Sequence, residues 1–118
     1  MALAALVVAA AVFGLVQAAL ATGGEAESAK TRGVSVRDDL FSPKRRTIGS
    51  GDRVRWTWRG DGDHNVRFRK VPSGASKKPG SSIKSGGTFV RKFTRRGTYR
   101  YVCTIHEDLG MTGSVRVE

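Results

Sequence analysis

Four side chains able to hold a soft metal ion occupy two distant places in the chain, and any fold that uses them must bring those places together. Tyr99-Arg100-Tyr101-Val102-Cys103-Thr104-Ile105-His106-Glu107-Asp108-Leu109-Gly110-Met111 contains the only cysteine, one of the two histidines and the only methionine apart from Met1, in the spacing C-x2-H-x4-M. The other histidine, His64, lies 39 positions before the cysteine (103 − 64), in Gly60-Asp61-Gly62-Asp63-His64-Asn65. One thiolate, two imidazoles and a weak thioether make up the donor set of a trigonal copper site with a long axial methionine. Zinc could take His64, Cys103 and His106 tetrahedrally; the methionine argues for copper. Taken singly, each donor has an ordinary use: a loop histidine is usually solvated, a methionine usually fills core space, and a lone cysteine can be a small buried hydrophobe. The spacing is what joins them.

The rest of the sequence alternates with period 2. In Arg53-Val54-Arg55-Trp56-Thr57-Trp58-Arg59 the apolar face is Val54, Trp56 and Trp58, and the polar face is Arg53, Arg55, Thr57 and Arg59. Similar runs occur at 34–36, 66–69, 89–93, 98–103 and 115–117. Turn-forming clusters separate them, among them Gly49-Ser50-Gly51-Asp52, Ser85-Gly86-Gly87 and Arg95-Arg96-Gly97. Short strands between such turns predict an all-β antiparallel sandwich or barrel. Trp56, Trp58, Phe68, Phe89, Phe93, Tyr99 and Tyr101 are the expected core, since aromatics bury the most surface per residue. Residues 71–85, rich in Ser, Gly, Lys and Pro, are expected to be irregular.

Gly51 to Trp58 followed by His64-Asn65-Val66 is similar to halocyanins. Gly97-Thr98-Tyr99-Arg100-Tyr101-Val102-Cys103, with His106, Gly110-Met111 and Gly113, is similar to the plastocyanin-like group. From about Phe41 to Val117 the chain thus resembles the cupredoxin family of small type 1 (blue) copper proteins. The resemblance implies a Greek-key sandwich and one copper ion held by His64, Cys103, His106 and Met111. It also implies that Asn65 ties the two ligand loops together near the cysteine sulfur, and that electrons pass through the His106 edge beside Ile105 and Leu109. Two positions depart from the family pattern. Ile105 stands where many relatives have proline, leaving the loop less stiff. Val102 stands where plastocyanins often have an aromatic residue, which weakens the case for a second, remote electron route.

The function expected on these grounds is single-electron transfer between redox proteins, without enzymatic activity: no catalytic base, nucleophile or open coordination position is needed. Two alternatives use the same residues differently. One is copper storage or delivery. The other is a metal-free basic β-sandwich that binds anionic polymers. Two histidines cannot supply a trinuclear copper cluster, which disfavours a multicopper oxidase.

Residues 1–21 carry no charged side chain and end in Ala19-Leu20-Ala21, the pattern of a signal peptide or an N-terminal membrane anchor. Residues 22–32 read as a flexible linker, and 33–118 as the copper-binding domain. The expected location is periplasmic, extracellular or membrane-anchored facing outside, and the expected state a monomer. The net charge of +11, from 21 Lys+Arg and 10 Asp+Glu, lies outside the leader. It suits acidic redox proteins or a membrane surface as partners; export removes the chain from nucleic acid. Asp61, Asp63, Glu107 and Asp108 flank the donors, whereas Arg53, Arg55, Arg67 and Arg69 lie on strands, which predicts an acidic metal end on a basic body.

Overall fold

The structure, a computed structural model, describes residues 28–118. The expected leader and most of the expected linker lie outside the described residues. Eight strands follow in order: β1 (Thr31–Arg37), β2 (Leu40–Ser42), β3 (Arg45–Ile48), β4 (Arg53–Trp58), β5 (Arg67–Lys70), β6 (Thr88–Lys92), β7 (Gly97–Val102) and β8 (Thr112–Val117), with a 3-10 turn at Glu107–Leu109. They form two four-stranded sheets, ordered β2-β1-β4-β6 and β3-β8-β7-β5. The expected all-β sandwich is the one observed. Within it, β1–β4 and β3–β8 pair in parallel and the other pairs are antiparallel. Alternation reports which face of a strand is buried, not which way its neighbour runs, so these parallel pairs were invisible in the sequence.

The period-2 runs become strands because each has one face to bury. Along β4, Val54, Trp56 and Trp58 point into the sandwich, and Arg53 and Arg55 stay exposed. Trp56 is the hub. Its ring meets Tyr101 edge-on at 5.3 Å between centroids, and Phe68 edge-on at 6.1 Å. Phe89 lies 5.3 Å away on its own sheet and is only partly buried. Edge-to-face aromatic contacts add to burial by aligning ring quadrupoles. β2 and β3 have 3 and 4 residues, too few for alternation to announce them. Residues 71–85 are irregular, as expected, apart from a bridge between Lys84 and His64.

This frame positions the donors. β4 ends at Trp58 and β7 at Val102, and the loops leaving those two strand ends contain His64 and Cys103. The Trp58 indole N–H donates to the His64 carbonyl at 3.1 Å. His64 and Lys84 exchange backbone hydrogen bonds, each 3.0 Å. The histidine loop is therefore tied to the core through Trp58 and to the 71–85 segment through Lys84.

Candidate metal centre

Three of the sequence-predicted donors converge. Cys103 Sγ lies 3.9 Å from His64 Nδ1 and 3.7 Å from His106 Nδ1, and the two Nδ1 atoms are 3.1 Å apart. First-row ions bind imidazole nitrogen at about 2.0 Å and thiolate sulfur at about 2.3 Å. Donors sharing one ion must therefore lie closer than about 4.0 Å (N to N) or about 4.3 Å (N to S), and all three separations meet that limit. Cys103 and His64 are buried, and His106 is partly exposed.

Met111 is fully buried, and its main chain is bonded to both neighbouring donors. The Cys103 amide donates to the Met111 carbonyl at 3.0 Å, and the Met111 amide to the His106 carbonyl at 3.2 Å. The C-x2-H-x4-M loop is thus closed on itself, with Gly110 in the left-handed region (φ 83°) ending the 3-10 turn. Asn65 Oδ1 accepts from the Thr104 amide at 2.8 Å and from the Thr104 hydroxyl at 3.2 Å, so it joins the His64 loop to the Cys103 loop. Ile105 and Leu109 flank His106 and are 46% and 68% exposed.

Two residues that sequence reasoning missed complete the arrangement. Asp38 and Asp39 form the turn between β1 and β2. Asp38 Oδ1 lies 3.0 Å from His64 Nε2, and Asp39 Oδ1 lies 3.4 Å from His106 Nε2. A carboxylate beside Nε2 keeps the proton on that nitrogen and leaves Nδ1 with a free lone pair. The two Nδ1 atoms face each other at 3.1 Å with the Cys103 sulfur beside both, a donor set that fits a metal ion. Asp39 reaches its position with φ 65°, a conformation Asp tolerates better than most residues.

The Asp38 carboxylate also accepts from the Gly62 and Asp61 amides, at 2.9 and 3.2 Å. Its bond to His64 first, and these amides second, hold its pKa down at about 2. The local sequence makes room for it: a Cβ on Gly60 or Gly62 would press against the Asp38 carboxylate. Gly60 and Gly62 are the one signal in the sequence that something must approach this loop closely.

Asp38 and Asp39 bring two carboxylates to the imidazoles that the sequence did not announce. One expectation is corrected. Arg69 is not remote from the ligand loops, since its guanidinium donates to Glu107 Oε1 at 2.7 Å. A bulge in β5, at the register shift between Phe68 and Lys70, leaves Arg69 and Lys70 both exposed.

A β-sandwich with one thiol and two imidazoles converging at one end defines a mononuclear metal-binding protein. The sequence matches the family model of copper binding proteins, plastocyanin/azurin family, over residues 20–118, and the chain belongs to that family. It is similar to plastocyanin of Prochlorothrix hollandica, 37% identical over 83 residues, covering 67% of this chain and 63% of that protein. It is also similar to amicyanin-alpha of Methylorubrum extorquens, 35% identical over 106 residues, covering 86% and 87%. Among solved structures, pseudoazurin from Methylobacterium extorquens superposes with a TM-score of 0.65 at 26% identity, over 74% of each chain. Copper is therefore the cofactor, and the cupredoxin resemblance read from the sequence holds.

Proposed function

We propose that this protein is an exported single-electron carrier working between redox proteins, with copper held by His64, Cys103, His106 and Met111. The observation that supports it most is the convergence of the three donors within 3.9 Å of one another at the end of a rigid aromatic core. When bound, copper supplies a one-electron couple. The chain supplies the rest. Donors anchored to strand ends and closed loops move little, so reorganisation is small. Asp38 and Asp39 fix both imidazole orientations. Burial of Cys103 and Met111 keeps water from that side.

His106 is the exposed edge of the site, with 24% of its side chain accessible. Exposed Ile105 and Leu109 give that edge an apolar rim on which a partner can exclude water. Asn65 holds the two loops in register. Residues 1–21 read as the export signal or anchor; among the described residues no helix is long and apolar enough to cross a membrane.

The test is to add Cu(II) to the purified protein and record its visible spectrum, then measure electron self-exchange. An intense blue thiolate-to-copper band with fast self-exchange is the expected result. A pale d–d spectrum removes the proposal. Copper that leaves readily while self-exchange is slow points to storage or delivery.

A further inference from the structure

The end of the sandwich away from the donors is basic. β4 runs toward His64 and β7 toward Cys103, so Arg53 and Gly97, which begin those strands, mark the far end. β1 is parallel to β4 with Thr31 opposite Arg53, and Arg53 is opposite Lys92 at the close of β6. Lys30, Arg32, Arg53, Lys92, Arg95 and Arg96 gather there, all exposed. Among the described residues, none of these cations forms an ion pair. The two side-chain carboxylates described at this end are already engaged: Asp52 accepts from the Lys30 and Gly49 amides, and Glu118 pairs with Arg116. A groove of about 880 Å³ opens here, with Lys30, Arg32, Lys92 and Arg96 along it. Like charges gathered on one end repel one another, and an anionic surface relieves that repulsion.

We infer that this end is a docking surface for a bilayer containing anionic phospholipid, and that it leaves the metal centre facing away from the membrane. The inference rests on the exported-carrier reading only in placing the protein beside the outer face of a cell membrane. Three observations select a lipid surface. Ser28, Ala29 and Lys30 line the groove, so the chain that follows the uncharged residues 1–21 enters the domain here. An apolar segment and a cluster of cations then share one end, and two such signals together give stable membrane attachment. The cations come from the start of β1, the start of β4, the end of β6 and the β6–β7 loop. They are spread over an end face, which suits many headgroups better than one soluble anion. Charge is also segregated: Asp38 and Asp39 sit against the imidazoles, and Asp61, Asp63, Glu107 and Asp108 lie in the donor loops. An anionic surface attracts one end and repels the other, so charge sets the orientation. β4 alone spans about 17 Å from Arg53 to Trp58, roughly twice the Debye length at physiological salt. The donors thus stay outside the lipid's field.

The test mixes the full chain, loaded with copper, with vesicles of phosphatidylglycerol–phosphatidylcholine or of phosphatidylcholine alone. Co-sedimentation reads affinity, and backbone hydrogen exchange reads which surface is covered. Residues 1–21 carry no charged side chain, so the difference between the two vesicles isolates the cations. Tighter binding to the phosphatidylglycerol vesicles is expected, with slower exchange at 49–53 and 94–97. Each cation near an anionic surface adds about fivefold to affinity. Lys92→Gln with Arg96→Gln should therefore cut the preference for phosphatidylglycerol by about tenfold or more. Arg45→Gln with Arg100→Gln, an exposed pair on the outer face of the second sheet, should cut it by no more than about twofold. All four side chains are exposed and without ion pairs among the described residues, so folding is preserved. Equal binding to both vesicles, equal losses in both pairs, or protection at 104–111 in place of the far end overturns the inference. Equal protection by inorganic phosphate without vesicles also overturns it, in favour of a small-anion site. Vesicle binding requires no electron transfer, so the carrier reading stands or falls separately, on its blue band.

Discussion

Asp38 and His64 are 26 positions apart in sequence, and their side chains meet at 3.0 Å, Oδ1 to Nε2, beneath the metal centre. The carboxylate commits the Nε2 proton and aims Nδ1 toward Cys103. Outer contacts of this kind change metal affinity by about 10–100-fold when removed. Asp38→Asn is expected to lower copper affinity within that range, measured by competition with a chelator. It should also raise the reduction potential, because a negative charge that favours Cu(II) is lost. Unchanged affinity and potential in a folded Asp38→Asn protein would show that the carboxylate does not act on the metal.

Asn65 makes a different kind of link, between backbones. Its Oδ1 takes both the amide and the hydroxyl of Thr104. In Asn65→Ala the Thr104 amide loses its acceptor in a largely buried setting, at a cost of about 1–3 kcal/mol. Urea unfolding should show that loss. Copper should also dissociate faster, because the His64 and Cys103 loops are no longer joined. A loss of stability with unchanged copper release would assign Asn65 to the fold alone.

The donors were legible in the sequence because soft-ligand side chains are rare and their spacing is tight. His64 became legible only through Cys103 and its neighbours. Asp38 and Asp39 were not legible. An Asp-Asp pair in a turn is ordinary, and no periodicity links it to histidines 26 and 67 positions on (64 − 38 and 106 − 39). Their positions depend on the pairing of β1 with β4, which alternation does not encode. The meeting of two cations across β5 and β7 was hidden for a related reason. Lys70 and Arg100 meet only in the observed register, and a bulge in β5 adds Arg69 beside them. The Trp56 strand was clear from its pattern, whereas β2 and β3 were too short to show one.

Asp52 offers a test by pH. Its carboxylate accepts from the Lys30 amide and the Gly49 amide, each at 2.9 Å, and the two bonds, Lys30 first, hold its pKa below the ordinary value of 3.8. A carboxyl whose pKa is depressed by folding stabilises the fold above its unfolded pKa, and the contribution disappears as pH falls through the folded value. Asp52→Asn should therefore melt below the parent protein at neutral pH, and the gap should narrow as the solution is acidified below about 4. A gap independent of pH would mean that geometry, not ionisation, supplies the effect.

Arg91 is the most unusual cation in the molecule, only 8% exposed and without a carboxylate partner among the described residues. Its guanidinium lies 4.5 Å from the centroid of Phe68, 5.0 Å from that of Phe93 and 5.5 Å from that of Tyr99. It donates to the Ser76 carbonyl at 2.7 Å and the Pro79 carbonyl at 3.2 Å. The planar fork stacks on aromatic rings while reaching two acceptors, a combination an ammonium cannot reproduce. Arg91 thus fastens the irregular 71–85 segment to the core, alongside the Ser81–Val66 and Lys84–His64 hydrogen bonds. Arg91→Lys should cost about 1–3 kcal/mol, from a lost hydrogen bond and weaker stacking. The loosening should be local: hydrogen exchange rises across 71–85 and trypsin cuts faster after Lys77, while β7 and β8 keep their protection. Lys84, which bridges to His64, ends that segment, so copper release should quicken modestly as well. A variant that loses stability uniformly, with no excess exchange in 71–85, would show that Arg91 serves packing rather than fastening this segment.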